Sequence, residues 1–141
     1  MPVTWTVRNI MARDILSVDS QTSANDAIAL MAEKDVGALV VTREGKPAGI
    51  VTERDIIKKC GREGSYKGIE VGQIMSEPLI TIKGDATIGD AAWLMTDKNI
   101  RRLLVTEKGE IKGIVTGKDI MREILSVFKN LLTTAKATEL L

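Results

Sequence analysis

The apolar positions change their period in one order along the chain, and that order occurs twice. A short β-favouring stretch comes first, Ile15-Leu16-Ser17-Val18 in one place and Leu79-Ile80-Thr81-Ile82 in the other. Ala24, Ala27, Ile28, Leu30 and Met31 then recur at helical spacing after polar residues able to cap, as do Ile88, Ala91, Ala92, Leu94 and Met95; each set predicts an amphipathic helix. Leu39 to Thr42 and Leu103 to Thr106 predict buried strands. Each leads through a glycine-containing turn, at Gly45 or Gly109, into a further strand at Gly49 to Val51 or Gly113 to Val115. Helical spacing resumes over Asp55 to Lys59 and Asp119 to Leu125, so the predicted unit is β-α-β-β-α and the fold class is α+β.

The two runs are copies of one another. An offset of 64 positions aligns Val7 to Lys59 with Val71 to Glu123 without a gap, and about a third of the pairs are identical. The densest block sets Gly49-Ile50-Val51-Thr52 with Asp55-Ile56 against Gly113-Ile114-Val115-Thr116 with Asp119-Ile120. The expected organisation is a first repeat over 1–60, a glycine-rich polar linker over 61–70, a second repeat over 71–125 and a helical tail over 126–141. Each unit is small enough to be marginal alone, so the halves are expected to pack on each other. Apolar residues at Ile124, Val127, Phe128, Leu131, Leu132, Ala135, Leu140 and Leu141 extend the helical pattern, for packing at home or for docking another protein.

Composition narrows the chemistry. Among 141 residues there is no histidine, which removes Ser-His and Cys-His nucleophile pairs and imidazole metal sites. Cys60 is the only cysteine, so no internal disulfide or thiolate cluster forms. No constellation pairs a nucleophile with its base, and the expectation is that the protein is not an enzyme, with no catalytic residue, metal site or required cofactor. A net charge of +1 and four aromatics give no reason to expect nucleic acid. Met1 to Arg8 lacks the apolar stretch of a secretory signal, and no apolar run approaches the roughly 18–20 residues that cross a bilayer. The expected setting is cytoplasmic, away from membranes.

Candidate binding residues stand where a strand gives way to a helix, at Thr52-Glu53-Arg54-Asp55 and Thr116-Gly117-Lys118-Asp119. A helix N-terminus offers unpaired amides and partial positive charge to a phosphate, aided by a Thr hydroxyl. An Asp in the first turn can accept from both hydroxyls of a ribose, and Arg54 and Lys118 supply cations. The competing reading is a variant capping box, worth roughly 0.5–2 kcal/mol of helix stability with no ligand. Arg101-Arg102 precede the second buried strand where the first copy has Gly37-Ala38, and either they are surface arginines or one reaches a phosphate. A P-loop is excluded, because no Gly-Lys-Ser/Thr stands at the required spacing.

Over Val7 to Glu123 the sequence resembles the cystathionine-β-synthase (CBS) domain family, as a stand-alone tandem pair or Bateman module. The resemblance rests on the repeat, on the openings Val7, Ile10, Met11 and Val71, Ile74, Met75, and on the Gly-apolar-apolar-Thr-x-x-Asp endings. It implies two repeats associated through their sheets as a pseudo-two-fold pair, with clefts between them for adenosyl compounds such as AMP, ADP, ATP or S-adenosylmethionine. Asp55 and Asp119 would hold ribose, Thr52 and Thr116 the ribose or phosphate side, and Arg54, Lys118 and Arg102 phosphate. Leu16, Ile80, Gly37, Ala38, Ile100 and Arg101 would border the adenine. The unlike entrances at Gly37-Ala38 and Arg101-Arg102 put equal occupancy of the two clefts in doubt.

The function expected on these grounds is a regulatory or sensor module that binds an adenine nucleotide and acts through an effector protein the sequence does not name. The alternative is a structural or adaptor homodimer that works by protein contact without a required ligand. A homodimer is expected in either case, since modules of this family pair through their helices and two-fold dimers are the commonest closed assembly.

Overall fold

Two three-stranded sheets carry the fold of this computed structural model, which describes residues 5–129. In chain order the elements are α1 (Val7–Ile10), β1 (Ser17–Asp19), α2 (Ala24–Lys34), β2 (Ala38–Arg43), β3 (Lys46–Thr52) and α3 (Glu53–Glu63), then α4 (Val71–Ile74), β4 (Thr81–Lys83), α5 (Ile88–Lys98), β5 (Arg102–Glu107), β6 (Glu110–Thr116) and α6 (Gly117–Phe128). β1 pairs parallel with β2, and β2 antiparallel with β3; β4, β5 and β6 repeat the arrangement. The β-α-β-β-α order predicted from periodicity is therefore present twice. The one-turn helices α1 and α4 were not predicted, because four residues are too few to establish a period.

The helices begin where their caps dictate. The hydroxyls of Ser23, Thr52, Thr87 and Thr116 each accept from the amide three residues on, and in the last three a returning Asp carboxylate completes a capping box. α2 and α5 end at Asp35 and Asn99, both left-handed with φ of 54° and 53°. α3 turns its Ile56 and Cys60 inward and ends at Gly64, whose φ of 70° suits glycine. It thus takes in Gly61, Arg62 and Glu63, which the sequence had assigned to the linker. Burial of Cys60 and the stop at Gly64 hold that last turn in the helix.

The hairpins are tight. Arg43 faces Lys46 and Glu107 faces Glu110, leaving two-residue turns in which both positions have positive φ: 51° and 79° at Glu44-Gly45, 52° and 79° at Lys108-Gly109. Such turns favour Asn before Gly, because a long side chain is strained in the left-handed region. Glu44→Asn and Lys108→Asn are each expected to raise stability by about 0.5–1 kcal/mol, read as a higher urea midpoint with an unchanged slope.

The compact units do not coincide with the repeats. One comprises residues 14–80; the other joins residues 5–13 to 81–129. Each repeat's opening segment serves the other repeat's sheet. Ile88 N–H donates to the Trp5 carbonyl (3.0 Å) and Val7 N–H to Ala86 (2.9 Å), while Ala12 and Ile114 exchange backbone bonds of 2.8 and 2.9 Å. The equivalent bonds in the other unit run from Ala24 to Ile69 (2.8 Å), from Val71 to Thr22 (2.9 Å), and between Ser76 and Ile50 (2.8 and 3.1 Å). Arg8 forms an ion pair with Glu107, whose carboxyl is held below the usual range by that hydrogen bond.

In the 14–80 unit the core gathers Ala24, Ala27 and Met31 of α2, Leu39 and Val41 of β2, Val51, Ile56 and Cys60, with Ile69 and Val71 from the imported segment. Burial pushes the Cys60 thiol up, so it packs as a neutral apolar group. The helical tail expected over 126–141 is seen only as the end of α6; residues 130–141 lie outside the described residues.

Candidate functional site

Both strand-to-helix corners are built identically, one in each unit. In the 14–80 unit the Thr52 hydroxyl accepts from Asp55 N–H (3.2 Å), and Asp55 Oδ2 accepts from Thr52 N–H (2.9 Å). The corner is stapled to the neighbouring strand by Glu53 N–H on the Gly37 carbonyl (3.1 Å), with Ala38 directly opposite Thr52 in register. The other unit repeats this: Asp119 N–H to Thr116 Oγ1 (3.1 Å), Thr116 N–H to Asp119 Oδ2 (2.9 Å), Gly117 N–H to the Arg101 carbonyl (3.0 Å), and Arg102 opposite Thr116.

This bonding corrects the expectation of a helix N-terminus open to phosphate. Of the four amides that precede the first intrahelical bond, three are engaged: one by the Asp carboxylate, one by the Gly37 or Arg101 carbonyl, one by the Thr hydroxyl. Only the amides of Arg54 and Lys118 find no partner among the described residues. The groups left open at these corners are therefore mainly side chains.

The carboxylates retain capacity. Asp55 and Asp119 are half-buried and each uses Oδ2 to cap. Among the described residues Asp55 Oδ1 has no partner, and Asp119 Oδ1 has only Arg122 Nη1 at 3.4 Å, a long and partly exposed contact. A carboxylate oxygen can accept two bonds, so each corner has free acceptor positions for a vicinal diol.

Charge separates the corners. Around Thr52 stand Glu53, Arg54 and Asp55 beside the uncharged Gly37-Ala38; around Thr116 stand Lys118, Asp119 and Arg122 beside Arg101-Arg102. Arg101 is exposed and Arg102 half-buried. The second corner carries the more positive local charge.

Each unit thus brings four expected site residues together: Gly37, Ala38, Thr52 and Asp55 in one, Arg101, Arg102, Thr116 and Asp119 in the other. Leu16 directly precedes β1, and its carbonyl accepts from Val40 N–H at 2.9 Å. Ile80 holds the equivalent place before β4. Ile100 follows the end of α5, with its N–H on the Met95 carbonyl (2.9 Å). The side chains of Arg54 and Lys118 are exposed on the first turns of their helices and make no bond to the corner residues. Sequence reasoning missed Arg122, although its position one helical turn after Asp119 was a readable signal. Among the described residues no three His, Cys, Asp or Glu side chains gather as a metal site, and no helix is long and apolar enough to cross a membrane.

Comparison with known proteins adds the family frame. The CBS domain family matches residues 7–62 and again 71–126. An uncharacterized protein of Methanocaldococcus jannaschii, MJ1404, is 39% identical over 137 residues, covering 87% of this chain and 32% of its own. The chain spans between 32% and 61% of the length of the first curated relatives it matches. The CBS domain pair of protein MJ0100, solved with 5′-methylthioadenosine and S-adenosyl-L-methionine, superposes with a TM-score of 0.78 at 25% identity, covering 89% of this chain and 99% of that one. CBSX2 in complex with AMP gives a TM-score of 0.72 at 27% identity, over 87% of this chain and 98% of that one.

Proposed function

Because the chain belongs to the CBS domain family, as a pair of CBS domains, we propose that it is a non-enzymatic regulatory module that binds adenosyl nucleotides at its two strand-to-helix corners. The observation that carries this reading is the spare acceptor capacity of Asp55 and Asp119, half-buried carboxylates held in fixed orientation by their own helix caps. A rigid carboxylate facing a vicinal diol makes charge-assisted bonds with little ordering cost. Thr52 and Thr116 border the same positions. Leu16, Gly37, Ala38, Ile80, Ile100 and Arg101 enclose the base, and Arg54, Lys118 and Arg102 meet phosphate. The likeness to CBS pairs solved with AMP and with S-adenosyl-L-methionine and 5′-methylthioadenosine supports adenosine as the shared element.

Ligand binding is then read by a partner protein, and the module works as a homodimer. The second reading, an adaptor dimer needing no ligand, is favoured by one observation: both capping boxes are complete without a bound group. A thermal-shift series separates the two. AMP, ADP, ATP, NAD and S-adenosylmethionine at about 100 times their dissociation constants stabilise a one-site binder by roughly 2.7 kcal/mol, a plain rise in melting temperature, with guanosine nucleotides giving less. Flat curves across the series favour the adaptor.

A further inference from the structure

The opening segments at 7–13 and 71–77 carry the same apolar pattern and make equivalent backbone bonds, yet each seats on the other repeat's sheet. What distinguishes them is charge and bulk. At the offset of 64 positions, Arg8 and Arg13 of the first segment stand where the second has Gly72 and Glu77, and the residue that ends the middle strand inverts as well, from Arg43 on β2 to Glu107 on β5. We infer that this inversion selects the sheet each opening segment joins, by matching opposite charges across the native contact and setting like charges together across the other one.

Each sheet holds the segment that suits it. Beside β1, β2 and β3, Arg43 Nη1 lies 3.1 Å from Glu77 Oε2, and Arg43 Nη2 approaches the Gly72 carbonyl (3.5 Å). Beside β4, β5 and β6, Glu107 pairs with Arg8, and Arg13 adds to the positive charge around that carboxylate. Seated the other way, Arg8 and Arg13 would face Arg43, and Glu77 would face Glu107. Bulk agrees with charge. Gly72 N–H donates to the Ser20 carbonyl (2.9 Å), and a Cβ at Gly72 would stand 2.9 Å from that oxygen and from Ser20 Cβ, so the arginine of the first segment does not fit in its place. Arg8 N–H makes the equivalent bond to the Gly84 carbonyl (2.9 Å), where the missing side chain leaves room for Glu107: a Cβ at Gly84 would stand 2.5 Å from Glu107 Oε1. Both ion pairs are partly exposed and each is weak by itself. Discrimination comes from the difference between two attractive contacts and two repulsive ones.

Disulfide trapping in the full chain reads which sheet a segment has joined. Ala12 is bridged to Ile114, and Ile50 holds the place of Ile114 on the other sheet, so Ala12→Cys is combined with Ile114→Cys or with Ile50→Cys and each chain is refolded from urea under mild oxidation. The native Cys60 is buried, and the unsubstituted chain is the background control. With the native charges the 12–114 bond closes within one chain and the 12–50 bond does not. Exchanging the strand-end charges by Arg43→Glu and Glu107→Arg is expected to raise the ratio of 12–50 to 12–114 closure roughly tenfold, the effect of inverting two surface contacts, and adding Arg8→Glu, Arg13→Glu and Glu77→Arg restores the native ratio. A ratio that does not move overturns the inference and leaves the apolar contacts to direct the segments. Urea midpoints give a second reading free of added cysteines. Arg43→Glu and Glu77→Arg each lower the midpoint and together recover it, whereas Arg43→Glu with Glu107→Arg does not; losses that simply add in the first pair, or recovery in the second, overturn the matching.

Discussion

Replacing Gly49 by alanine is expected to destabilise the protein by about 1–3 kcal/mol, as overpacking of a closed contact does. An added Cβ would stand 2.6 Å from Met75 Sδ and 2.7 Å from the Ser76 carbonyl oxygen. The methionine can shift. The carbonyl cannot retreat readily, because Ser76 and Ile50 exchange two backbone hydrogen bonds across the same contact. Gly113 repeats the arrangement against Met11 and the Ala12 carbonyl, and Gly113→Ala is expected to fall in the same range. Neither glycine has a positive φ, so the cost is steric. Gly61→Ala is the control: nothing lies within 4 Å of its Cβ, it sits inside α3, and a gain of about 0.5–1 kcal/mol is expected. Urea midpoints measure all three. An unchanged midpoint for Gly49→Ala would show that the Met75-Ser76 segment is not seated on β3.

The second large effect concerns the corner carboxylates. Asp55→Asn and Asp119→Asn should leave the melting temperature of the free protein nearly unchanged, since Asn caps about as well as Asp and its amide oxygen can still accept from the Thr backbone. Affinity for AMP should fall roughly 5- to 150-fold, the loss of about 1–3 kcal/mol expected when a charge-assisted bond to ribose becomes a neutral one. The effect on phosphorylated ligands should be larger for Asp119→Asn, because Arg101, Arg102 and Lys118 surround that corner and Glu53 stands at the other. Calorimetry gives affinity and stoichiometry together. Unchanged values in both variants would reduce the two aspartates to helix caps.

What could be read from the chain was what is encoded at short range. The continuous apolar run over Leu39 to Thr42 and the helical spacing of Ala24, Ala27 and Met31 placed β2 and α2 within a few residues of their observed bounds. Thr-x-x-Asp spacing announced both capping boxes, since Thr Oγ1 and the amide three residues on meet by helix geometry alone. Strand starts were less legible. β1 and β4 begin at Ser17 and Thr81, two residues after the starts of the apolar stretches that predicted them, because their extent is set by parallel pairing with β2 and β5.

The order of elements, their duplication at an offset of 64 and the corner motifs followed from local spacing, because periodicity and capping depend on neighbours three or four positions away. Which sheet each opening segment joins did not follow. Val7-x-x-Ile10-Met11 and Val71-x-x-Ile74-Met75 carry the same apolar pattern, and a pattern states that a face must be buried without naming the partner that buries it. The choice was made by tertiary contact, where Met11 lies on Gly113 and Met75 on Gly49, the glycine in each strand being what lets the segment approach. The same holds at the corners. The carbonyls of Gly37 and Arg101 occupy amides that the helix ends would otherwise present to a phosphate, and residues so far apart in the chain meet only once the strands have paired.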